Sequence, residues 1–284
     1  MAVPAGIGDS PGDSSGYSAG LLALVRLSFK QLVRPPSHSR RAGAARRLAR
    51  HSLGITAVAS AGIIALMLWL DAREIGWMPP RGTPSLWPVR ILTDFGKDSY
   101  VLWILAAMLL VTALVAAAKP GTSRAQWLGL GLRLQFVFFA VLTPLLAGEL
   151  IKWVAGRGRP FVGGHANPFN FAPFAGTEAY ASFPSAHAIT AFALAFAVSA
   201  VWPRARGAMI VYALLIAASR LVLLAHHPSD VVAGALIGVV GAMAVRYWFA
   251  ARRLGFAIHR DGEIVPLRSA SGPLKRVARR PSAS

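Results

Sequence analysis

Apolar positions along the chain gather in long, nearly unbroken blocks instead of alternating with polar ones. Six blocks, at residues 53–70, 100–118, 127–151, 186–202, 207–225 and 231–250, read as helices able to span about 30 Å of hydrocarbon at about 1.5 Å per residue. The pattern predicts an all-α fold, a polytopic six-helix membrane bundle occupying residues 51–255. An even number of spans places both termini on one side.

The polar stretches around the blocks refine this picture. Residues 1–20 are rich in Gly, Ser, Pro and Asp and are expected to be disordered. The following segment, GLLALVRLSFKQLVR, sets Arg26, Lys30 and Arg34 on one helical face and Leu22, Val25, Phe29 and Leu32 on another. That layout suits a helix lying on an anionic membrane surface, and a solvated linker helix fits it as well. Residues 1–50 are thus assigned as a basic N-terminal segment and 256–284 as a basic tail, both cytoplasmic. The first block follows fifty mostly polar residues and lacks a small-residue cleavage signature, so no cleaved leader is expected.

Composition agrees. Of 284 residues, 55% are hydrophobic, and the mean hydropathy is +0.52. The formal charge of +19 would suit a nucleic-acid binder, but its distribution argues otherwise. Eight basic residues precede position 53 and eight follow position 251, and the links 119–124 and 203–206 are basic without an acid. The link at 71–99 carries four acids against four bases. This is the asymmetry of cytoplasmic positive charge, and no nucleic-acid partner is needed to explain it. The absence of cysteine excludes thiolate catalysis and disulfides.

The unusual polar residues fall at the expected outer face. Lys152 and Arg159, seven apart, share a helical face if the third helix continues. Ser185 can cap the fourth helix behind Pro184, leaving N–H groups that attract anions. Arg220 lies inside an apolar block that ends at His226, His227, Pro228 and Asp230. Three fixed cations near one surface suit a phosphate group. Pro228 fits the first position of the last helix, so Asp230 could reach back to a ring nitrogen of His226 and leave the other as a nucleophile. His187 would then be free to protonate a leaving group.

These segments, KWVAGRGRP (152–160), PSAH (184–187) and SRLVLLAHHPSD (219–230), resemble the three ordered motifs of the type 2 phosphatidic acid phosphatase superfamily. The resemblance covers about residues 53–250. It implies that Lys152, Arg159 and Arg220 bind phosphate with Ser185 assisting. It further implies that His226 becomes phosphorylated, that Asp230 orients and stabilises it, and that His187 donates the proton. Many members have glycine where Ala186 stands. No metal or other cofactor is implied, because the cationic cage supplies the positive charge. The resemblance implies a phosphatase of the cell (inner) membrane whose site faces the periplasm or exterior and takes a lipid phosphomonoester or diphosphate. Such lipids include phosphatidic acid, phosphatidylglycerol phosphate, undecaprenyl diphosphate and lipid A phosphates. A phosphotransferase to a lipid or sugar acceptor, and a non-catalytic lipid-binding or translocating protein, are the alternatives.

Other polar residues receive plainer expectations. His227 is read as structural or helix-capping, His165 as a loop histidine, and His38, His51 and His259 as ordinary tail residues. Arg157 is read as a surface arginine or a headgroup contact, Glu149 as the partner of Lys152, and Arg133 and Arg246 as snorkelling cations. The tryptophans are read as an interfacial belt, and the Pro- and Trp-rich link 76–90 as a cover for the site or a lipid contact.

Overall fold

The computed structural model describes residues 13–164, 166–258 and 264–267. The expectations for residues 1–12, for His165 and His259, and for the tail beyond 267 lie outside them. Nine α-helices account for most of the described chain. They are α1 (Asp13–Val33), α2 (His38–Trp69), α3 (Asp71–Trp77), α4 (Trp87–Asp94), α5 (Asp98–Ala118), α6 (Gly121–Ala155), α7 (Ala186–Val201), α8 (Arg206–Val222) and α9 (Pro228–Ala251). Strands β1 (Phe256–Ile258) and β2 (Ile264–Pro266) pair antiparallel, with Ala257 opposite Val265.

Five helical stretches, comprising α2, α5 with the turns before it, α6, α8 and α9, are long and apolar enough to cross a membrane, and α7 is a shorter apolar helix of 16 residues. Large apolar side chains point outward: Val58 is 77% exposed and Trp103 76%. A soluble protein could not leave such a surface to water, so the lipid bilayer is its solvent.

The bundle is organised around α9, which packs on α7, α2 and α6. Gly234 and Gly238, one turn apart, explain the close fit. A Cβ at Gly234 would lie 2.5 Å from the carbonyl oxygen of Ser185, and one at Gly238 2.5 Å from that of Ile189. The backbones of α7 and α9 therefore touch directly, as small residues allow between membrane helices. Farther along, Gly241 receives Pro144, which sits inside α6. This packing fixes the start of α7 against the start of α9.

The ends differ from the sequence expectations. Helix α1 begins at Asp13, within the stretch expected to be disordered, and α2 begins at His38, so the basic segment before the first block is helical. At the other terminus, β1 folds back onto the bundle, and Phe256 packs edge-on against Phe136 with ring centroids 4.7 Å apart. Arg246 donates to the carbonyl of Ile264 at 2.6 Å and lies over the Phe256 ring, which ties β2 to α9.

Candidate active site

Three chain turns bring the site together. The first follows α6. Gly156 takes a left-handed conformation with φ of 54°, ending the helix, and its N–H donates to the carbonyl of Lys152 at 2.9 Å. A side chain here would strike the carbonyl of Ala172, so only glycine suits the turn. Beyond it the chain is pinned by backbone hydrogen bonds from Gly158 to Asn170 O, Arg159 to Ala179 O and Ser182 to Arg157 O.

The second turn ends α8. Leu224 adopts a left-handed φ of 47°. The N–H of Ala225 reaches the carbonyl of Arg220 at 3.0 Å, and that of Leu224 reaches Leu221 at 2.8 Å. This is a Schellman closure, with leucine where glycine is usual. It reverses the chain within a few residues of Arg220 and brings His226 into the field of that arginine. The third turn starts α9, with His227 at the N-cap, Pro228 first, and Asp230 accepting the His227 N–H through Oδ2 at 2.9 Å. The capping position expected for His227 is thus observed.

His226 is 3% exposed, and its Nδ1 lies 2.8 Å from the carbonyl oxygen of Ser182. A carbonyl only accepts, so Nδ1 carries the hydrogen and Nε2 holds the free lone pair. The partner differs from the one expected from sequence. Asp230 Oδ2 stands 4.0 Å from Nδ1 and instead accepts from Ser182 Oγ at 2.6 Å. The carboxylate therefore holds the residue that holds the histidine. Burial, reinforced by the positive charges of Arg220 and Arg159, pushes the His226 pKa well below 6.5. That shift favours the neutral ring.

Around it lies the cationic cage. His187, in the first turn of α7, sits in the field of Arg220, Arg159, Lys152 and Lys97. Lys97 belongs to the link 71–99, which the sequence showed only as neutral overall. Arg220 donates to Thr93 Oγ1 at 2.8 Å, Arg159 pairs at 2.8 Å with the exposed Glu178, and Lys152 pairs with Glu149 as its spacing predicted. The Nε atoms of Arg159 and Arg220 and the Oγ of Ser185 are buried without a hydrogen-bond partner among the described residues. Ser185 is held at the mouth of α7 by its N–H, which donates to the carbonyl of Asp230 at 3.1 Å. All seven residues singled out from sequence thus gather at one end of the bundle.

Arg157 requires a correction. It is not a surface residue: its side chain is fully buried. Each of its five N–H donors is used. Nε and one Nη2 hydrogen bind the Pro168 carbonyl, the other Nη2 hydrogen binds Asp71 at 2.8 Å, and Nη1 binds Ser229 Oγ and Asp230 Oδ1, both at 2.6 Å. Asp71 also accepts the Ser229 N–H at 3.0 Å. Sequence reading missed Asp71, Ser182, Ser229 and Thr93. The one available signal was an acid, Asp71, set directly at the end of an apolar block. Glu74, a turn farther on, is 3% exposed, and neither carboxyl oxygen has a hydrogen-bond partner among the described residues. Burial, and then the charge of Asp71, raises its pKa to about 7.

A helical membrane protein that presents a neutral, fixed histidine to an under-partnered Lys/Arg cage has the equipment of a phosphatase. The PAP2 superfamily model matches residues 133–254, and the chain belongs to that superfamily. It is 33% identical over 178 residues to the lipid A 1-phosphatase of Rhizobium johnstonii, covering 61% of this chain and 71% of the relative. It is 32% identical over 178 residues to the lipid A 1-phosphatase of Rhizobium etli, covering 61% and 75%. No solved structure matches the chain.

Proposed function

We propose that the protein removes phosphate from a membrane lipid through a phosphohistidine on His226, and that a lipid A phosphate is the first substrate to test. The observation that carries this reading is the fixed tautomer of His226 beside Arg159 and Arg220, whose Nε atoms lack partners. The names of the two Rhizobium relatives support the choice of lipid.

In the proposed reaction the phosphate oxygens take up the free donors of Arg159, Arg220 and Ser185 together with Lys152 and the first N–H groups of α7. Nε2 of His226 attacks phosphorus as the bond to the leaving oxygen breaks, and His187 supplies that oxygen with a proton. The imidazole becomes positive when the P–N bond forms. Its Nδ1–H stays on the Ser182 carbonyl, and Asp230, 4.0 Å away, offsets the charge. Water then attacks phosphorus, returns a proton to His187 and releases phosphate as the P–N bond breaks.

In the same reading α7 completes six spans, both termini are cytoplasmic, and the histidines face the outer leaflet. The basic links at the opposite end support this orientation. A headgroup enters from the side while its acyl chains remain in lipid.

The test is phosphate release from micellar lipid A, phosphatidic acid, phosphatidylglycerol phosphate and undecaprenyl diphosphate, with EDTA present. Wild type is expected to release phosphate from at least one of them, and His226→Ala to lose about a thousandfold or more of that rate. Turnover of soluble phosphates alone, transfer to an added acceptor in place of water, or an active His226→Ala variant would each refute the reading.

A further inference from the structure

The end of the bundle opposite the histidines holds a second concentration of cations, built differently. A cavity of about 710 Å³ lies where α1, the turn into α2, and the end of α9 meet, and Arg34, Arg40, Arg252 and Arg253 line it. A second cavity of about 800 Å³ shares Pro35, Pro36, Ala251 and Arg252 with it. Arg41, Leu48, Phe139, Val245 and Trp248 also line it. Among the described residues, no carboxylate pairs with any of these five arginines.

Two of the five make hydrogen bonds or ring contacts to neutral groups. Arg40 donates to Ser37 Oγ at 2.8 Å. Arg252 stacks over the Trp248 ring at 4.0 Å and reaches the Trp248 carbonyl at 3.3 Å, while its Nε has no hydrogen-bond partner among the described residues. Positive charge at a cytoplasmic helix end is ordinary when the side chains spread into water. Here Arg34, Arg40, Arg41 and Arg253 stay exposed, yet together with the half-buried Arg252 they line one concave space from the turn, α2 and the end of α9, and an anion between them relieves their mutual repulsion.

We infer that these arginines and the adjoining apolar cavity form a binding site for an anionic glycerophospholipid. The phosphodiester occupies the arginine-lined cavity, held by the summed positive charge of the side chains around it. An acyl chain follows the groove along Leu48, Phe139 and Trp248. The continuity of the two cavities selects a lipid over a free phosphate, since an inorganic ion would leave the apolar half unused. Basic pockets between membrane helices bind lipid headgroups by the same physics. In the orientation proposed above, the site draws on the cytoplasmic leaflet. Bound lipid would join α1 and α2 to the end of α9, the helix whose other end carries Asp230.

The experiment uses the full chain in neutral detergent. Dioleoyl phosphatidylglycerol, dioleoyl phosphatidylcholine and inorganic phosphate are added separately, and bound lipid is counted by native mass spectrometry alongside the melting temperature. Phosphatidylglycerol is expected to bind at least tenfold more tightly than phosphatidylcholine and to raise the melting temperature, with inorganic phosphate producing no shift. The triple variant Arg40→Gln, Arg252→Gln, Arg253→Gln should lose at least tenfold in affinity. The corresponding triple lysine variant, which preserves charge and most of the volume, should keep most of it. Equal binding of the two lipids would identify mere annular lipid. An equal shift from phosphate would identify a simple anion site. Equal loss in the glutamine and lysine variants would reveal a fold defect. Any of these results overturns the inference. Phosphatidylglycerol has no terminal phosphate group, so this outcome is independent of the proposed phosphatase activity.

Discussion

Arg157 and Arg220 lie at the same end of the molecule, both buried, and they are treated in opposite ways. Arg157 has a full set of partners, including two carboxylates from α3 and α9 that are themselves buried. Among the described residues, Arg220 donates to the neutral Thr93 and its Nε has no hydrogen-bond partner. A guanidinium whose every donor is met by the protein has nothing left to offer a ligand. One left short of anions has been desolvated without compensation, and in the proposed reaction a phosphate would supply what is missing. Burial alone therefore does not separate the two arginines; the completeness of the partner set does.

The largest test of this contrast is removal of the satisfied arginine. Arg157→Met leaves Asp71 and Asp230 buried without their counterion, and the loss of stability should be about 3–5 kcal/mol. A thermal melt in detergent checks it, and a melt indistinguishable from wild type would show that the ion cluster does not hold α3 to α9. Arg220→Gln should behave in the opposite manner, with kcat/KM falling about 10²–10³-fold while the melting temperature stays level or rises. A marked drop in melting temperature with activity retained would erase the distinction between the two arginines.

The smallest expected effect concerns Glu74, beside the satisfied cluster but outside it. In the unfolded chain this carboxyl ionises near 4.5, whereas in the fold it keeps its proton up to about 7. Between these values the folded state binds more protons, so stability falls as pH rises through the window and stays reduced above it. Glu74→Gln should therefore raise the melting temperature by a few degrees, about 2–4 °C per kcal/mol, at pH 8 and leave it unchanged near pH 4.5. A gain of equal size at both pH values would show that ionisation is not the cause.

Much of the active end was legible from sequence because its signals are local. Apolar blocks mark helices wherever they occur, and α5, α6 and α9 contain the blocks predicted for them. The order Lys152, Arg159, Ser185, His187, Arg220, His226, Asp230 is a matter of residue types at fixed intervals. Arg157 was misread for a related reason. In KWVAGRGRP it stands two residues before Arg159, and nothing in that interval shows that Gly156 turns the chain so that one guanidinium enters the core while the other faces the cage. The Schellman turn at Leu224 was invisible too, since leucine carries no expectation of a left-handed conformation.

The sequence by itself determined that this is a helical membrane protein and which residue types can hold and transfer a phosphate. Hydrophobic runs and motif spacings are properties of neighbouring residues, and they survive in one dimension. Only the tertiary structure decided which partner each group takes. The bond from Arg157 to Asp71 joins residues 86 positions apart, that from Ser229 to Asp71 spans 158, and His226 finds the Ser182 carbonyl across 44. Those pairings depend on how closely α7 approaches α9 over two glycines and on where three turns release the chain. Charge satisfaction is therefore a property of the folded bundle, and it separates the arginine that builds the site from those that serve it.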